Sequence, residues 1–351
     1  MSTEGKRRVL VVDDSALVRQ VLTNILSRHP LLEVVGTAKD PYDARERIKE
    51  LDPDVLTLDV EMPRMDGLTF LGKLMKAHPM PAVMLSSLTA KGTLTALDAL
   101  DLGAVDVIGK PALDQAAGLE RMAHEIAQTV YAASLARVGR ARPPVQVSPA
   151  LASLASRAKA GRALIAIGSS TGGTEALRQV FESLPENLPP IAVVQHMLPG
   201  FTGAFAERLD RGCRARVKVA EDGEPLKAGT IYLAPSEAHL TIGRHAAGLV
   251  AILQAGDRVS HHLPSVDVLF DSVASSCGAH ALGVILTGMG DDGARGLLKM
   301  RQKGARTLGQ DEATCVVYGM PRAAFLRGGV EAQAPLEAIA GHLVAWCERE
   351  T

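Results

Sequence analysis

Short apolar runs alternate with amphipathic stretches from Arg8 to Pro111. The first run, Val9–Val12, is typical of a buried strand. In the stretch that follows, Ser15–Arg28, apolar residues recur every three or four positions, which predicts a helix. Further strands are predicted at Leu32–Val35, Val55–Leu58, Ala82–Leu85 and Val105–Ile108. Five strands alternating with helices predict a doubly wound parallel sheet, because parallel neighbours need a crossover connection.

The same alternation returns from Ala163 onwards. Strands are predicted at Leu164–Ile167, Ile191–Val194, Val217–Ala220 and Leu282–Leu286, and helices at Thr174–Leu184, Phe201–Arg211, Val266–Ser276 and Gly293–Gln302. Between Gly229 and Leu253, short strands separated by Pro235 and by a glycine-containing segment predict a small β-hairpin insertion. The second half is therefore predicted to be another doubly wound α/β domain.

The segment between the two halves has a different composition. A helix-like pattern runs from Pro111 to about Val138, and residues 140–162 then combine three prolines with serine, alanine and basic residues, without periodicity. A solvated linker explains this segment better than a basic contact surface for nucleic acid or an acidic partner. We expect a first domain at 1–115, a linker with a helical start at 116–160, and a second domain at 161–349.

Composition narrows the class of protein. Hydrophobic residues make up 47% of the chain and charged residues 22%, a globular balance, and the net charge of −1 argues against a nucleic-acid-binding surface. Four widely spaced cysteines without a Cys-x-x-Cys pair support neither a zinc site nor a disulfide framework. Because no apolar run approaches the ~20 residues that span a bilayer, we expect a cytoplasmic protein without membrane insertion.

Chemically active side chains follow the predicted strands of the first half. Asp13 and Asp14 follow the first strand, and Asp59, Ser86 and Lys110 follow later ones. Ligands bind beyond the carboxyl ends of parallel strands, and Mg²⁺ prefers carboxylate oxygens. Asp59, at the end of a mid-sheet apolar strand, is the best phosphoryl acceptor, with the lysine and the serine meeting phosphoryl oxygens. The alternative is a static ion-pair network.

These residues resemble the response-regulator receiver family, through Val11-Val12-Asp13-Asp14-Ser15, Asp59 with Met62-Pro63 and Met65-Asp66-Gly67, Ser86, and Lys110-Pro111. The resemblance covers about the first 115 residues and implies a flavodoxin-like fold. It also implies phosphorylation of Asp59 by a histidine kinase. Mg²⁺ is then expected on Asp13, Asp14, Asp59 and the backbone carbonyl of Glu61. Val107 stands where many members carry an aromatic switch residue, which leaves the relay of the signal open.

The segment Gly168–Gly173, where a predicted strand is followed by a helix through small residues only, indicates a candidate catalytic site in the second half. Its match to Gly-x-Ser-x-Gly places Ser170 at a tight turn beside helix N-terminal N–H groups, which suits a nucleophile. A plain glycine-rich turn or a phosphate-binding loop is the alternative. His196 follows the next strand and is therefore expected at the same sheet edge. The other histidines considered are less well placed: His239, His245, His280 and His342.

A carboxylate that orients the histidine is expected after strand Leu282–Leu286, where either Asp291 or Asp292 is suitably placed. The residue not used would cap the following helix. The order Ser, His, Asp differs from that of the α/β-hydrolase fold, in which the acid lies between serine and histidine.

The second half resembles the catalytic domain of the chemotaxis methylesterase (CheB) family, through Gly168–Gly173, Gln195-His196, Pro264-Ser265-Val266-Asp267, and Leu286–Gly290 with Asp292-Gly293. The resemblance implies that Ser170 is the nucleophile, His196 the general base and acid, and Asp292 the orienting carboxylate. Thr171 and the backbone N–H of Met289 would line the site, the latter as an oxyanion donor. Asp291 stands where the family commonly has Asn, which adds a carboxylate beside the triad.

The implied activity is hydrolysis of glutamate methyl esters and of certain glutamines in methylated chemoreceptors, without a cofactor for the esterase. A phosphorylated receiver is expected to relieve inhibition of the catalytic domain. Two alternatives stay open at this point: the same esterase acting in a chemosensory pathway other than chemotaxis, or a non-catalytic regulator whose serine turn holds an anion. A helix-turn-helix, expected for a transcriptional regulator, is not indicated in the second half.

Overall fold

The chain divides into two units, Met1–Arg142 and Pro143–Thr351. In this computed structural model the described residues are 5–87, 90–110, 116–136, 138, 163–197, 199–246 and 248–349. The predicted segment with three prolines, residues 140–162, lies outside them. Among the helices described, none has the length and apolar character needed to cross a membrane.

The first unit is a five-stranded parallel sheet with helices between its strands. Its elements are β1 (Arg7–Val12), α1 (Ala16–Ser27), β2 (Leu32–Ala38), α2 (Pro41–Leu51), β3 (Val55–Asp59), α3 (Gly67–Ala77), β4 (Ala82–Ser86), α4 (Ala90–Asp101), β5 (Asp106–Gly109) and α5 (Ala116–Ser134). The strand order is β2-β1-β3-β4-β5, and every described pairing is parallel. The predicted receiver-like fold is confirmed, with β3 at the centre of the sheet.

Helix α1 illustrates how local sequence sets an element in this unit. Ser15 precedes the helix in an extended conformation, and its hydroxyl accepts a hydrogen bond from the N–H of Val18. Such an N-cap stabilises a helix by about 1 kcal/mol. The face that carries Leu22 and Leu26 is fully buried, and this apolar stripe holds the helix against the sheet.

The second unit has a seven-stranded parallel sheet and a separate hairpin. Its elements are β6 (Leu164–Ser169), α6 (Gly173–Glu182), β7 (Ile191–Gln195), α7 (Thr202–Gly212), β8 (Arg216–Val219), β9 (Thr230–Leu233), β10 (His239–His245), β11 (Gly248–Gln254), α8 (Val266–Ser276), β12 (Ala281–Ile285), α9 (Ala294–Gln302), β13 (Arg306–Gln310), α10 (Met320–Leu326), β14 (Ala332–Ala334) and α11 (Leu336–Arg349). The order in the main sheet is β14-β13-β12-β6-β7-β9-β8, so β12, β6 and β7 are adjacent near its middle.

The α/β class and the hairpin insertion are confirmed, but the insertion is smaller than predicted. Strand β9, at the start of the predicted insertion, belongs to the main sheet, where it pairs in parallel with β7 and β8. Only β10 and β11 form the antiparallel hairpin. Strands β13 and β14 were not predicted, because β13 contains a glycine and few apolar residues and β14 has only three residues.

Candidate active site and phosphoacceptor site

Three carboxylates of the first unit converge at the carboxyl end of its sheet. One oxygen each of Asp13, Asp14 and Asp59 lies within 4.8 Å of the others. Lys110 Nζ lies 2.7 Å from Asp59 Oδ2 and 3.1 Å from Asp13 Oδ2. Burial raises the pKa of Asp59 to about 6, with the negative charge of Asp13 adding to the effect and Lys110 opposing it. Crowded carboxylate oxygens of this kind fit Mg²⁺, a hard cation that stabilises such charge.

The other residues predicted for this site lie around the same strand ends. The N–H of Glu61 donates to Asp59 Oδ1 over 3.1 Å. Ser86 is buried at the end of β4, and its hydroxyl donates to the carbonyl of Ser87 (3.0 Å). The N–H of Lys110 donates to the carbonyl of Ser86 (2.8 Å), which connects two of the phosphoryl-binding candidates. Val107 lies on β5 opposite Met84 and is half-buried.

The serine turn of the second unit lies where central strand β6 ends. The N–H of Ser170 donates to the carbonyl of Thr287 (3.0 Å), and its carbonyl accepts from the N–H of Gly173 (2.7 Å). Gly172 has a φ of 74°, a left-handed conformation that favours glycine. A Cβ on Gly168 would lie 2.2 Å from a methyl carbon of Val266, the first residue of α8. The glycines of the motif therefore permit both the turn and the close approach of a helix.

His196 and Asp292 form a hydrogen-bonded pair beside this turn. Asp292 Oδ2 accepts from His196 Nε2 (2.9 Å) and from the N–H of Val266 (2.8 Å). Its Oδ1 accepts from Ser265 Oγ (2.8 Å) and from the N–H of Asp267 (3.0 Å). Burial acts to raise the pKa of Asp292, but these hydrogen bonds and the histidine outweigh it and lower that pKa. The carboxylate stays ionised and also caps the N-terminus of α8.

The orientation of the imidazole differs from the common serine-hydrolase triad, in which the carboxylate binds Nδ1. Here the carboxylate binds Nε2, so Nδ1 is the ring nitrogen left for proton transfer. Within the described residues, His196 Nδ1 is buried without a hydrogen-bond partner, and Ser170 Oγ makes no hydrogen bond. Strands β6 and β7 are adjacent, and the N–H of His196 donates to the carbonyl of Ser169 (3.0 Å).

A second histidine, His262, lies against His196 and was missed by the sequence reasoning. The two rings stack with centroids 3.6 Å apart and an angle of 7° between their planes. Burial, followed by the electrostatic effect of the neighbouring His196, lowers the pKa of His262, so this ring stays neutral. Ser260 and His261 both have positive φ, and the tight turn they form places His262 in the site. The only signal in the sequence that could have indicated His262 is its position two residues before the motif Pro264-Ser265-Val266-Asp267.

Asp291 lies outside the hydrogen-bonded pair of His196 and Asp292 and does not cap α9 with its side chain. Its Oδ2 lies 2.9 Å from Arg327 Nη2. This exposed ion pair compensates the negative charge of Asp291, which Asn, the residue common in the family at this position, does not carry. Helix α9 begins after Gly293 without a side-chain cap. The expectation that the aspartate not used in the triad caps the following helix is therefore wrong. The capping carboxylate is Asp292, and it caps α8 instead.

Among the backbone N–H groups near the serine, those of two predicted site residues have no hydrogen-bond acceptor in the part of the chain that the structure describes. Those of Thr171 and Met289 make no hydrogen bond to any residue that the structure describes. The N–H of Ser170 is already bound to Thr287. The free pair suits a developing oxyanion, which needs preorganised donors.

Known proteins resemble this chain over most of its length. The family models for the response regulator receiver domain and for CheB methylesterase match residues 9–122 and 165–343. The protein-glutamate methylesterase/protein-glutamine glutaminase 1 of Dechloromonas aromatica is 53% identical over 338 residues, which cover 95% of this chain and 97% of that protein. The chain belongs to the CheB methylesterase family.

Other relatives extend over both halves or over the second half alone. The protein-glutamate methylesterase/protein-glutamine glutaminase of Bordetella pertussis is 52% identical over 340 residues, 97% of each chain. The crystal structure of the CheB methylesterase catalytic domain of Thermotoga maritima matches with a TM-score of 0.52 and 39% identity, covering 53% of this chain and 98% of that one. The resemblance of both halves to these families is confirmed.

Proposed function

We propose that this protein is a phosphorylation-activated protein-glutamate methylesterase and protein-glutamine glutaminase of chemotaxis adaptation. Its substrates are glutamate methyl esters, and certain glutamines, of methyl-accepting chemoreceptors. The observation that carries the proposal is the ionised Asp292 bound to His196 Nε2 at the edge of the sheet where Ser170 sits in its turn. The names of the relatives described above support glutamate esters and glutamines of a protein as substrates, and the family resemblance implies that this substrate protein is a chemoreceptor.

In the proposed reaction Ser170 Oγ attacks the ester carbonyl carbon while His196 Nδ1 takes the hydroxyl proton. The tetrahedral intermediate then expels methoxide, which leaves as methanol with the proton from the imidazole. Water attacks the acyl-enzyme with His196 again as base, and the glutamate and the free serine are released. A glutamine passes through the same kind of intermediate and loses ammonia.

The backbone N–H groups of Thr171 and Met289 stabilise the oxyanion in this proposal, because both lack other acceptors in the described chain. Asp292 keeps His196 in the tautomer with its proton on Nε2 and stabilises the imidazolium as it forms. Neutral His262 covers one face of that ring and does not compete for the proton.

The receiver, residues 1–115, is proposed to accept a phosphoryl group on Asp59 from a histidine kinase in the cytoplasm. Mg²⁺ would be held by Asp13, Asp14, Asp59 and the Glu61 carbonyl, where it neutralises charge on the phosphoryl oxygens. Lys110 would bind a phosphoryl oxygen in exchange for its present ion pairs, and Ser86 would donate to another. Through the linker, residues 116–160, phosphorylation relieves inhibition of the catalytic domain, residues 161–349.

The test measures methanol release from membranes that carry methylated chemoreceptors. Ser170→Ala is expected to abolish release and labelling by a fluorophosphonate, while phosphorylation of Asp59 by a small phosphodonor with Mg²⁺ continues. Ser183→Ala, which removes a hydroxyl at the end of α6 bound only to the Gln179 carbonyl, is the matched control and keeps both activities. Esterase activity in Ser170→Ala would refute the nucleophile assignment. Methanol release from other methylated proteins but not from chemoreceptors would refute the proposed substrate.

A further inference from the structure

Gln195, the last residue of β7, connects the main chains of the proposed nucleophile and base. Its side chain is buried, with the residue 6% exposed, and it pairs in register with Ser169. The carboxamide oxygen accepts from Ser169 Oγ over 2.6 Å. The carboxamide nitrogen donates to the carbonyls of Ser170 (2.8 Å) and His196 (2.9 Å). Both N–H bonds of one amide are thus directed at the two catalytic positions.

The bond to the Ser170 carbonyl has a consequence for the next residue. A peptide unit is planar and trans, so its C=O and its N–H point in opposite directions. The carbonyl of Ser170 is held by Gln195 on one side of the peptide, which directs the N–H of Thr171 to the other side. That N–H makes no hydrogen bond in the described chain, and it is one of the two proposed oxyanion donors.

We propose that Gln195 is a positioning residue: its carboxamide holds the Ser170–Thr171 peptide with the Thr171 N–H directed at the oxyanion. The inference rests on the proposed function. It assigns a role in the transition state to a residue that does not touch the substrate. An oxyanion donor is effective when its direction is set before the reaction, because no energy is then spent on reorganisation.

The space for this carboxamide is provided by Gly173. A Cβ on Gly173 would lie 2.1 Å from Gln195 Oε1 and 2.8 Å from Ser169 Cβ. The N–H of Gly173 is also the second donor to the Ser170 carbonyl. Glycine is therefore needed at 173 because a side chain there would collide with the carboxamide, whereas glycine is favoured at 172 because of the positive φ.

The hydrogen bond to the His196 carbonyl adds a restraint on the base. The N–H of His196 is bound to the Ser169 carbonyl, so both polar groups of its main chain are held. If the side chain of Gln195 had a merely structural role, replacing it would change the free energy of unfolding but not kcat. The positioning role predicts instead a loss in kcat for correctly folded molecules, which separates the two.

The test is Gln195→Met, which keeps the length of the side chain and removes both donors. Using a p-nitrophenyl ester and the full-length protein, we expect kcat per fluorophosphonate-titrated site to fall on the order of 10²-fold, with KM changed less than about threefold. Affinity for phenylboronic acid, which forms a tetrahedral adduct with an active serine, should fall in parallel. Gln179→Met, which removes a carboxamide from the α6 surface, is the matched control and keeps kcat.

Two further variants make the result decisive. Ser169→Ala removes the anchor of Oε1 but leaves both N–H donors, and should lower kcat less than about tenfold. Gly173→Ala displaces the carboxamide without removing it and should reproduce the loss in kcat, which decides the question if Gln195→Met does not fold. A kcat within threefold of wild type in Gln195→Met, or an equal loss in Ser169→Ala, overturns the inference. Absence of ester hydrolysis in the wild type would instead refute the proposed function.

Discussion

Replacing Asp292 by Asn tests the double role of this carboxylate in orienting the base and capping α8. The carboxylate accepts four hydrogen bonds, two on each oxygen. An amide of the same shape has one accepting oxygen, so two of the four donors must face an NH₂ group. In one orientation these are Ser265 Oγ and the N–H of Asp267. In the other they are the N–H of Val266 and His196 Nε2.

The magnitude follows from those four bonds. Either orientation leaves one buried N–H in the first turn of α8 without an acceptor, at about 1–3 kcal/mol. Loss of the negative charge at the helix N-terminus adds up to about 1 kcal/mol. We therefore expect the free energy of unfolding to fall by about 1–4 kcal/mol. In the second orientation His196 Nε2 must accept, which puts the ring proton on Nδ1 and removes the base. We expect kcat to fall on the order of 10⁴-fold, as wrong-tautomer variants of serine hydrolases do.

Two assays on the full-length protein measure these effects. Trp346, the single tryptophan, is buried in α11, so its fluorescence in urea reports unfolding of the second unit. Methanol release reports kcat. Asp291→Asn is the matched control, because its exposed ion pair with Arg327 contributes at most about 1 kcal/mol. If Asp292→Asn kept more than a tenth of wild-type kcat, or unfolded at the same urea concentration, this account of the site would be wrong.

Two other predictions concern the receiver and the serine turn. Because burial raises the pKa of Asp59 from 3.8 to about 6, the folded receiver binds this proton more tightly than the unfolded chain, and stability falls as pH rises through that window. Asp59→Asn should therefore stabilise the receiver by up to about 3 kcal/mol above pH ~7 and by little below pH ~4. Amide hydrogen exchange of β3 measures this difference. Equal protection of β3 in the variant and the wild type at pH 8 would contradict the prediction. Gly168→Ala should destabilise the second unit by about 1–3 kcal/mol through its clash with Val266. Urea unfolding of the double variant with Val266→Ala should show recovery, and no recovery would locate the strain elsewhere.

The receiver could be predicted from sequence almost completely. Its strands are short apolar runs. Asp13 and Asp59 directly follow two of them, and Lys110 follows a third after one glycine, so the rule that parallel strands end at one edge brought them together. The same rule placed Ser170 and His196 at neighbouring strand ends. These groups are determined by sequence because each is adjacent to a strongly patterned element whose position in the sheet follows from general topology.

Tertiary structure decided the interactions between segments far apart in the chain. Asp292 could not be separated from Asp291 by pattern alone, because the choice depends on α8, which begins 26 residues earlier and directs its N–H groups at Asp292. The stacking of His262 on His196 likewise depends on a two-residue turn with positive φ outside any strand. The free Nδ1 of His196 follows from the side on which Asp292 approaches. Hydrophobic periodicity encodes which face of an element is buried, whereas the direction of a single polar atom is set by the packing of neighbouring elements.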